Sequence, residues 1–573
     1  MRTRPAFLIN PLDFHSGLVL SVVLDPSNKE CCENLLGTNW ESCLQTSKLE
    51  DAVLNISISS DSSLEDYIYG VLFILGFDFL VVGISATISA FGFDYDGESF
   101  ENTEEMEIEE VATDQEDVQP RRQTQATCFI SRADLEALGI EVNDKHANRM
   151  KHNITLADLS KETGADQTEG HLHHDSHTRV ILILSLFYSI PTFQVVIWDA
   201  MFYSKSGFQD YCYYNFLCLK PFAGLAAFNH IFSNIGYVFY SILFIYLVHL
   251  KKRKYKQAIQ KLEKFYGEKF GTPSDFSLFY GIGWALLMEG IMSACYHVCP
   301  TNIYFQFDTT YMYLIGILMI VKLYQNRHPD VSLGALKTGI LLGLLLFFET
   351  TSFYENRIAF WIIFCLIYFT VIIVVALNTY TLGALKYNRY IFWSSIRLLS
   401  LEVRRALGPH HKNTMQGQIT SVKIRLLFNL IFVMYNVGHV IYIITKLFSE
   451  PDNYASTHLL VMIMSNLTIY TVFYIIMKLV HKEYLTWSCR LYLIANLILM
   501  STSSYFFSWS PKNQDGSPAS SRAENMECIL FNFYDSHDLW HFLSAGGLFT
   551  AFMFLLNIDE DLKYTDWSFI PVF

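Results

Sequence analysis

What most limits how this chain can fold is the recurrence of apolar runs long enough to cross a bilayer. A transmembrane helix needs about 20 mostly apolar residues. Such runs are read at 67–91, 180–197, 225–250, 278–296, 310–323, 333–348, 358–377, 426–444, 459–479, 491–507 and 541–556, about eleven in all. Inside lipid a backbone satisfies its own hydrogen bonds only as helix or closed barrel, and runs of this length select helix. Composition agrees: 51% of the 573 residues are hydrophobic and only 17% charged, with 46 Phe and 34 Tyr, which is far from an ordinary soluble chain. The expected fold class is an α-helical polytopic membrane protein.

The segments between and around these runs set the expected organisation. Residues 1–66 read as a short β-rich extracytoplasmic remnant, with β-branched runs at Leu18 to Leu24 and Val53 to Ile58. Cys31, Cys32, Cys43 and the acceptor Asn55-Ile56-Ser57 suit an oxidising compartment, so Asn55 is the candidate glycosylation site. Arg2, Arg4, Pro5, Pro11 and Asp13 interrupt any secretory leader, and an N-terminally shortened chain is expected. After the first transmembrane helix, 67–92, comes a polar stretch, 93–178, with the acidic run Glu104 to Glu110. It cannot bury a core and is expected to be a mostly disordered loop. Its His171 to His177 tract could bind metal, although a solvated loop end is the plainer reading. The helical core is expected over 179–558 and a short cytosolic tail over 559–573. Because the acids gather in one loop, the net charge of −14 does not exclude a polyanionic partner.

Lys and Arg fall after the odd-numbered spans: Lys251 to Lys254, Arg327, Lys386 to Arg405, Lys478 and Lys482. The positive-inside rule then puts the N-terminus outside and the C-terminus in the cytosol. With that orientation Ser293, His297, Asp308, His537 and His541 all reach the extracytoplasmic side. Ser293 and His297, like His537 and His541, are four residues apart and share a helix face. Three imidazoles and a carboxylate are a zinc ligand set, so His297, His537, His541 and Asp308 are the candidate metal ligands. Ser293, a poor ligand, is expected to orient water or His297. Cys212, Cys218, Cys299 and Cys528 lie on the same side and are disulfide candidates whose pairing stays open.

The motifs SACYHVCP at 293–300, YFQFDT at 304–309, KLYQNRHPD at 322–330, YIIMKL at 474–479 and DLWHFLS at 538–544 resemble the systemic RNA interference-defective (SID-type) transmembrane family. The resemblance runs from Tyr67 to the C-terminus. It implies a double-stranded RNA transporter of the plasma or lysosomal membrane, some members being cholesterol uptake proteins, and a homodimer is the expected assembly. The core also resembles the ceramidase and progestin/adiponectin-receptor superfamily of zinc-dependent membrane hydrolases, which implies metal ligands at His297, His537 and His541 and catalytic roles for Asp308 and Ser293. A zinc-dependent lipid amidase or esterase is thus the alternative to RNA transport. Family members carry two β-rich ectodomains before the first span, of which only the tail of the second fits here.

The Lys/Arg asymmetry makes a direct prediction. A tag inserted near Gln125 is cytosolic and one near Ser517 is extracytoplasmic; labelling of the Gln125 tag alone by an impermeant reagent on intact cells reverses the orientation.

Overall fold

A computed structural model describes residues 64–113, 155–157, 176–206, 211–266, 270–272, 276–301, 303–328, 340, 343–344, 357–381, 416–449, 455–509 and 521–573. The expected β-rich remnant with Asn55 and most of the histidine tract lie outside the described residues, as do most of the expected span at 333–348. Eleven helices are labelled here: α1 (Leu64–Thr113), α2 (Ser176–Ser206), α3 (Phe228–Phe232), α4 (Ile235–Tyr266), α5 (Phe276–Tyr296), α6 (Phe305–Gln325), α7 (Arg357–Thr381), α8 (Gln416–Ser449), α9 (Ala455–Val480), α10 (Trp487–Trp509) and α11 (Ser536–Asn557). Among the described residues, nine helical stretches are long and apolar enough to cross a membrane, and α7 contributes a shorter apolar stretch, Phe360–Ala376. The protein is a polytopic helical membrane protein.

Helices α5, α6 and α11 are the most deeply buried of the spans. Helix α5 packs against α2, α4 and α6, while α11 packs along α10 and against α4. Tyr237, Phe244, Leu286, Ile315, Phe549 and Phe552 meet in the shared core. The approach of α5 to α4 depends on Gly290, where a Cβ would stand 2.9 Å from Cβ of Tyr237 and 3.2 Å from the Asn234 carbonyl; small residues let membrane helices touch backbone to backbone. Around this core the outer helices turn large apolar side chains outward, Phe187 at 74% exposure and Trp198 at 72% among them. That pattern suits lipid, which is as apolar as the side chains facing it.

A smaller unit of α7, α8 and α9 is joined through a polar contact deep in the spans. Asn466 donates to Asn436 Oδ1 at 2.9 Å and to the Met462 carbonyl at 2.9 Å, and the Tyr368 hydroxyl donates to Asn436 Oδ1. Unsatisfied amides would be costly in hydrocarbon, so pairing them across helices ties those helices together. It also accounts for Asn466, whose side chain is engaged inside the bundle.

The C-terminal segment, expected as a tail, is packed into the bundle. Arg327 and Lys478 are both fully buried. Arg327 Nη2 lies 2.6 Å from Glu483 and 3.0 Å from Asp559; Lys478 Nζ lies 3.1 Å from Asp559, 2.8 Å from Asp561 and 3.0 Å from Glu483. Tyr474 donates to Asp559 at 2.6 Å, and the Phe573 ring covers the Arg327 guanidinium at 4.6 Å. Leu156, from the stretch expected to be disordered, packs on Leu562, Ile570 and Val572 and donates its N–H to the Ile570 carbonyl at 3.0 Å. Helix α1 likewise runs past the expected boundary at residue 92, to Thr113.

Removing one partner of a buried ion network leaves charge without compensation, at a cost of about 3–5 kcal/mol. Asp559→Asn keeps the shape but leaves Arg327 and Lys478 with Glu483 and Asp561 alone. It is expected to lower the thermal unfolding temperature in detergent clearly; an unchanged melt shows that the network does not hold the helix ends.

Candidate metal centre

The centre is built on the first turn of α11. Its N-cap, Asp535, accepts from the backbone N–H groups of His537 at 2.9 Å and Asp538 at 3.0 Å, and Asp538 Oδ2 accepts in return from the Asp535 N–H at 3.0 Å. This capping box satisfies orphan donors of the helix start. The chain reaches it through a tight turn in which Phe531 and Asn532 are left-handed, with φ of 53° and 49°. That turn carries the Phe533 ring to Gly70, where a Cβ would fall 2.5 Å from the ring. The cap thus fixes where α11 begins, and the i,i+4 spacing puts His537 and His541 on one face.

His297 follows the last turn of α5, its N–H bonded to the Ser293 carbonyl at 3.1 Å. Two residues on, Cys299 is disulfide-bonded to Cys212, and Cys218 is bonded to Cys528, which precedes α11. All four cysteine candidates are therefore in disulfides, with the pairing now given. The bonded loop is drawn further in by Asn215, which donates to Asp535 at 2.9 Å and accepts from the Met526 N–H at 3.1 Å.

These elements bring His297, His537 and His541 together, with one ring nitrogen from each inside a 4.8 Å span. Nε2 of His297 and Nε2 of His541 are 3.0 Å apart. Nε2 of His537 is buried without a hydrogen bond, and Tyr237 Oη stands 3.5 Å from Nδ1 of His541. Burial and repulsion from His541 and His537 hold His297 well below the ordinary imidazole range, so it keeps a lone pair. Burial opposes charge on Asp535 too, but His230, His537 and the Asn215 amide outweigh it and hold that carboxyl below the usual range.

The donor set fits zinc. Bonds of about 2.0–2.1 Å at tetrahedral angles put ligand nitrogens about 3.3 Å apart, near the 3.0 Å between Nε2 of His297 and Nε2 of His541, and a buried nitrogen without a partner, as at His537, suits a ligand. Asp308, in the first turn of α6, is buried and accepts a hydrogen bond from the Ser293 hydroxyl. It adjoins the centre but is not one of the three groups that share the 4.8 Å span. Asp308, Tyr237 and His541 also line a cavity with Glu289, Met312 and Trp540.

Sequence reasoning did not single out His230, Asp535, Asn215 or Tyr237. Asp535 had a signal, an acidic residue three positions before Asp538 at the start of an apolar run, which is a capping-box pattern. His230 and Tyr237 had none, since only the packing of α3 and α4 on α11 brings them near.

An imidazole cluster framed by two disulfides, in a chain with nine apolar membrane-length helical stretches among its described residues, marks a polytopic integral membrane protein with a candidate metal centre. The chain matches the family described as dsRNA-gated channel SID-1 along residues 1–573, and it belongs to that family. It is 33% identical to human SID1 transmembrane family member 1 over 457 residues, covering 79% of this chain and 53% of the relative. The mouse protein of the same name is 34% identical over 447 residues, covering 78% of this chain and 52% of the relative. Cholesterol uptake protein 1 of Caenorhabditis elegans is 32% identical over 433 residues, covering 76% of this chain and 55% of the relative. The chain spans about half the length of the curated relatives it matches.

Peptide mapping without reductant is expected to recover Cys212 linked to Cys299 and Cys218 linked to Cys528. Replacing either pair by serine costs about 2–5 kcal/mol of stability; recovery of Cys212 linked to Cys218 contradicts this arrangement of the loops.

Proposed function

We propose that the chain is a membrane protein mediating double-stranded RNA uptake, with a zinc site at the extracytoplasmic ends of its helices. The match along residues 1–573 to a family described by double-stranded RNA gating carries this reading. His297, His537 and His541 would hold the ion, next to the Asp308 and Ser293 pair. Bound zinc would act as a Lewis acid and bring the pKa of a coordinated water toward neutrality. The chain's own residues fix the rest: the Asp535 cap sets the pitch of the two α11 imidazoles, and the disulfides hold His297 against them. In the uptake reading the site joins helix ends on the side where a polyanion arrives. Duplex RNA would be met through its phosphates, in a salt-sensitive and sequence-independent way. Lys251 has little left for that task, because it donates to the Leu556 carbonyl at 2.9 Å and pairs with Glu560.

The cavity favours a second reading, hydrolysis of a lipid amide or ester. It sets Asp308 and His541 in one wall with apolar Met312 and Trp540, so a lipid could bring a carbonyl beside a proton acceptor. Cholesterol uptake, the role named for the worm relative, would bring a sterol to the same helices.

One set of variants tests both readings in cells expressing the full chain. Labelled duplex RNA is expected to enter wild-type cells above the empty-vector level, and about one zinc per chain is expected to survive dialysis. His537→Ala with His541→Ala removes that tightly held zinc. Asp308→Asn lowers any lipid hydrolysis by about 10²-fold if Asp308 is the base and leaves uptake unchanged. Uptake no greater than the vector control, with the chain at the surface, overturns the RNA reading; tightly held zinc in the double variant overturns the ligand set.

A further inference from the structure

Beside the three-histidine centre lies a second group that the proposed site does not use. His230, at the end of the short helix α3, is buried with Asp535 and Asp538, and one ligand atom from each of the three lies within 4.8 Å of the others. Nδ1 of His230 is 2.9 and 3.0 Å from the two oxygens of Asp538. A carboxylate on one ring nitrogen orients the ring and, where the ring is neutral, keeps the proton on that nitrogen and leaves the other free to ligate, the arrangement found behind metal-bound histidines. That other nitrogen, Nε2, is buried and makes no hydrogen bond, although a buried polar atom without a partner is costly. It faces Asp535 Oδ2 at 3.9 Å, too far for a hydrogen bond. Two metal–ligand bonds of about 2.0–2.2 Å at tetrahedral angles span a nitrogen–oxygen gap of about 3.3–3.6 Å, so the two groups would close by a few tenths of an ångström around an ion.

We propose that His230 and Asp535, backed by Asp538, hold a second divalent cation beside the His297, His537 and His541 centre. Nε2 of His230 and Oδ2 of Asp535 are its direct ligands and water fills the remaining positions. One imidazole and one carboxylate suit a borderline first-row cation such as zinc or manganese. The ligands are held before any ion arrives: Asp535 by the capping box and by Asn215 at 2.9 Å, His230 by Asp538. The ring of His230 lies 6.0 Å from that of His297, centroid to centroid, so the two ions would be close neighbours. With only two direct protein ligands the second ion is the weaker and the more readily exchanged.

Equilibrium dialysis of the purified full chain against rising zinc tests this. Wild type is expected to saturate at about two ions per chain, one tightly and one weakly held. His230→Asn places an amide N–H where Nδ1 was, so the contact with Asp538 persists while the Nε2 ligand is gone; saturation should fall to about one, with the tight ion kept. Asp535→Asn can still cap α11 through Oδ1, though without the hydrogen bond from Asn215, and loses the anionic ligand; it gives the same fall. His537→Ala with His541→Ala should lose the tight ion and keep the weak one, so failure of the three-histidine site is read separately. Saturation of wild type at one ion, or two ions still bound by either folded single variant, overturns the proposal and leaves an imidazole–carboxylate contact that only braces α3 against α11.

Discussion

The cap on α11 is the interaction on which the candidate centre depends. One oxygen of Asp535 takes two backbone N–H groups and the other takes the Asn215 amide, so one carboxylate fixes both the start of the helix and the loop that crosses above it. Without that anchor the first turn of α11 would fray, as uncapped helix starts do, and the i,i+4 relation between His537 and His541 would lose its meaning. The disulfide from Cys218 to Cys528 closes the same loop covalently. Cap, amide and disulfide thus act on one short stretch of chain, and the geometry of the imidazoles is inherited from it.

The same helices that carry the centre at one end carry the ion network at the other. Helix α6 has Asp308 in its first turn and leads into Arg327; α11 begins with His537 and leads into Asp559. Arg327 and Asp559 are 3.0 Å apart, so α6 and α11 are held together where they leave the bundle as well as where they enter it. Helix pairs fixed at both ends resist sliding, which a site defined to within a few tenths of an ångström requires. The buried stretch Ile570 to Phe573 closes over that network. The C-terminal residues are therefore part of the frame that aligns the far end.

The sequence made the spans and the imidazoles legible because both are local signals: apolar length for one, spacing on a helix face for the other. The cysteines were legible as a set, but their pairing was not, since it depends on which loops the bundle brings side by side. Asp535 was hidden by its neighbours, because a histidine-rich motif draws attention from the residue that caps it. The Asn436 and Asn466 contact was out of reach for another reason: thirty residues of separation place the two amides on different helices, and only packing says they face each other. In the sequence Arg327 and Lys478 stand as topology signals and Asp559 as tail, whereas in the fold all three are buried in one ion network. Leu156 shows the converse limit, since its few apolar neighbours make too short a run to say that it docks on the C-terminal residues.

The two polar networks differ in a way that bears on what each can do. At the Arg327 end, two cations meet three carboxylates, the tyrosine hydroxyl of Tyr474 completes Asp559, and Asn326 adds another donor at 3.0 Å. Opposite charges there meet at hydrogen-bonding distance, and each carboxylate pairs with a cation. At the α11 start, two imidazole nitrogens face each other at 3.0 Å, while Nε2 of His537 and Nε2 of His230 make no hydrogen bond. The groups described there do not all satisfy one another. A buried polar nitrogen without a partner is costly. The Arg327 network therefore accounts for its own partners, whereas the α11 start leaves Nε2 of His537 and of His230 without one.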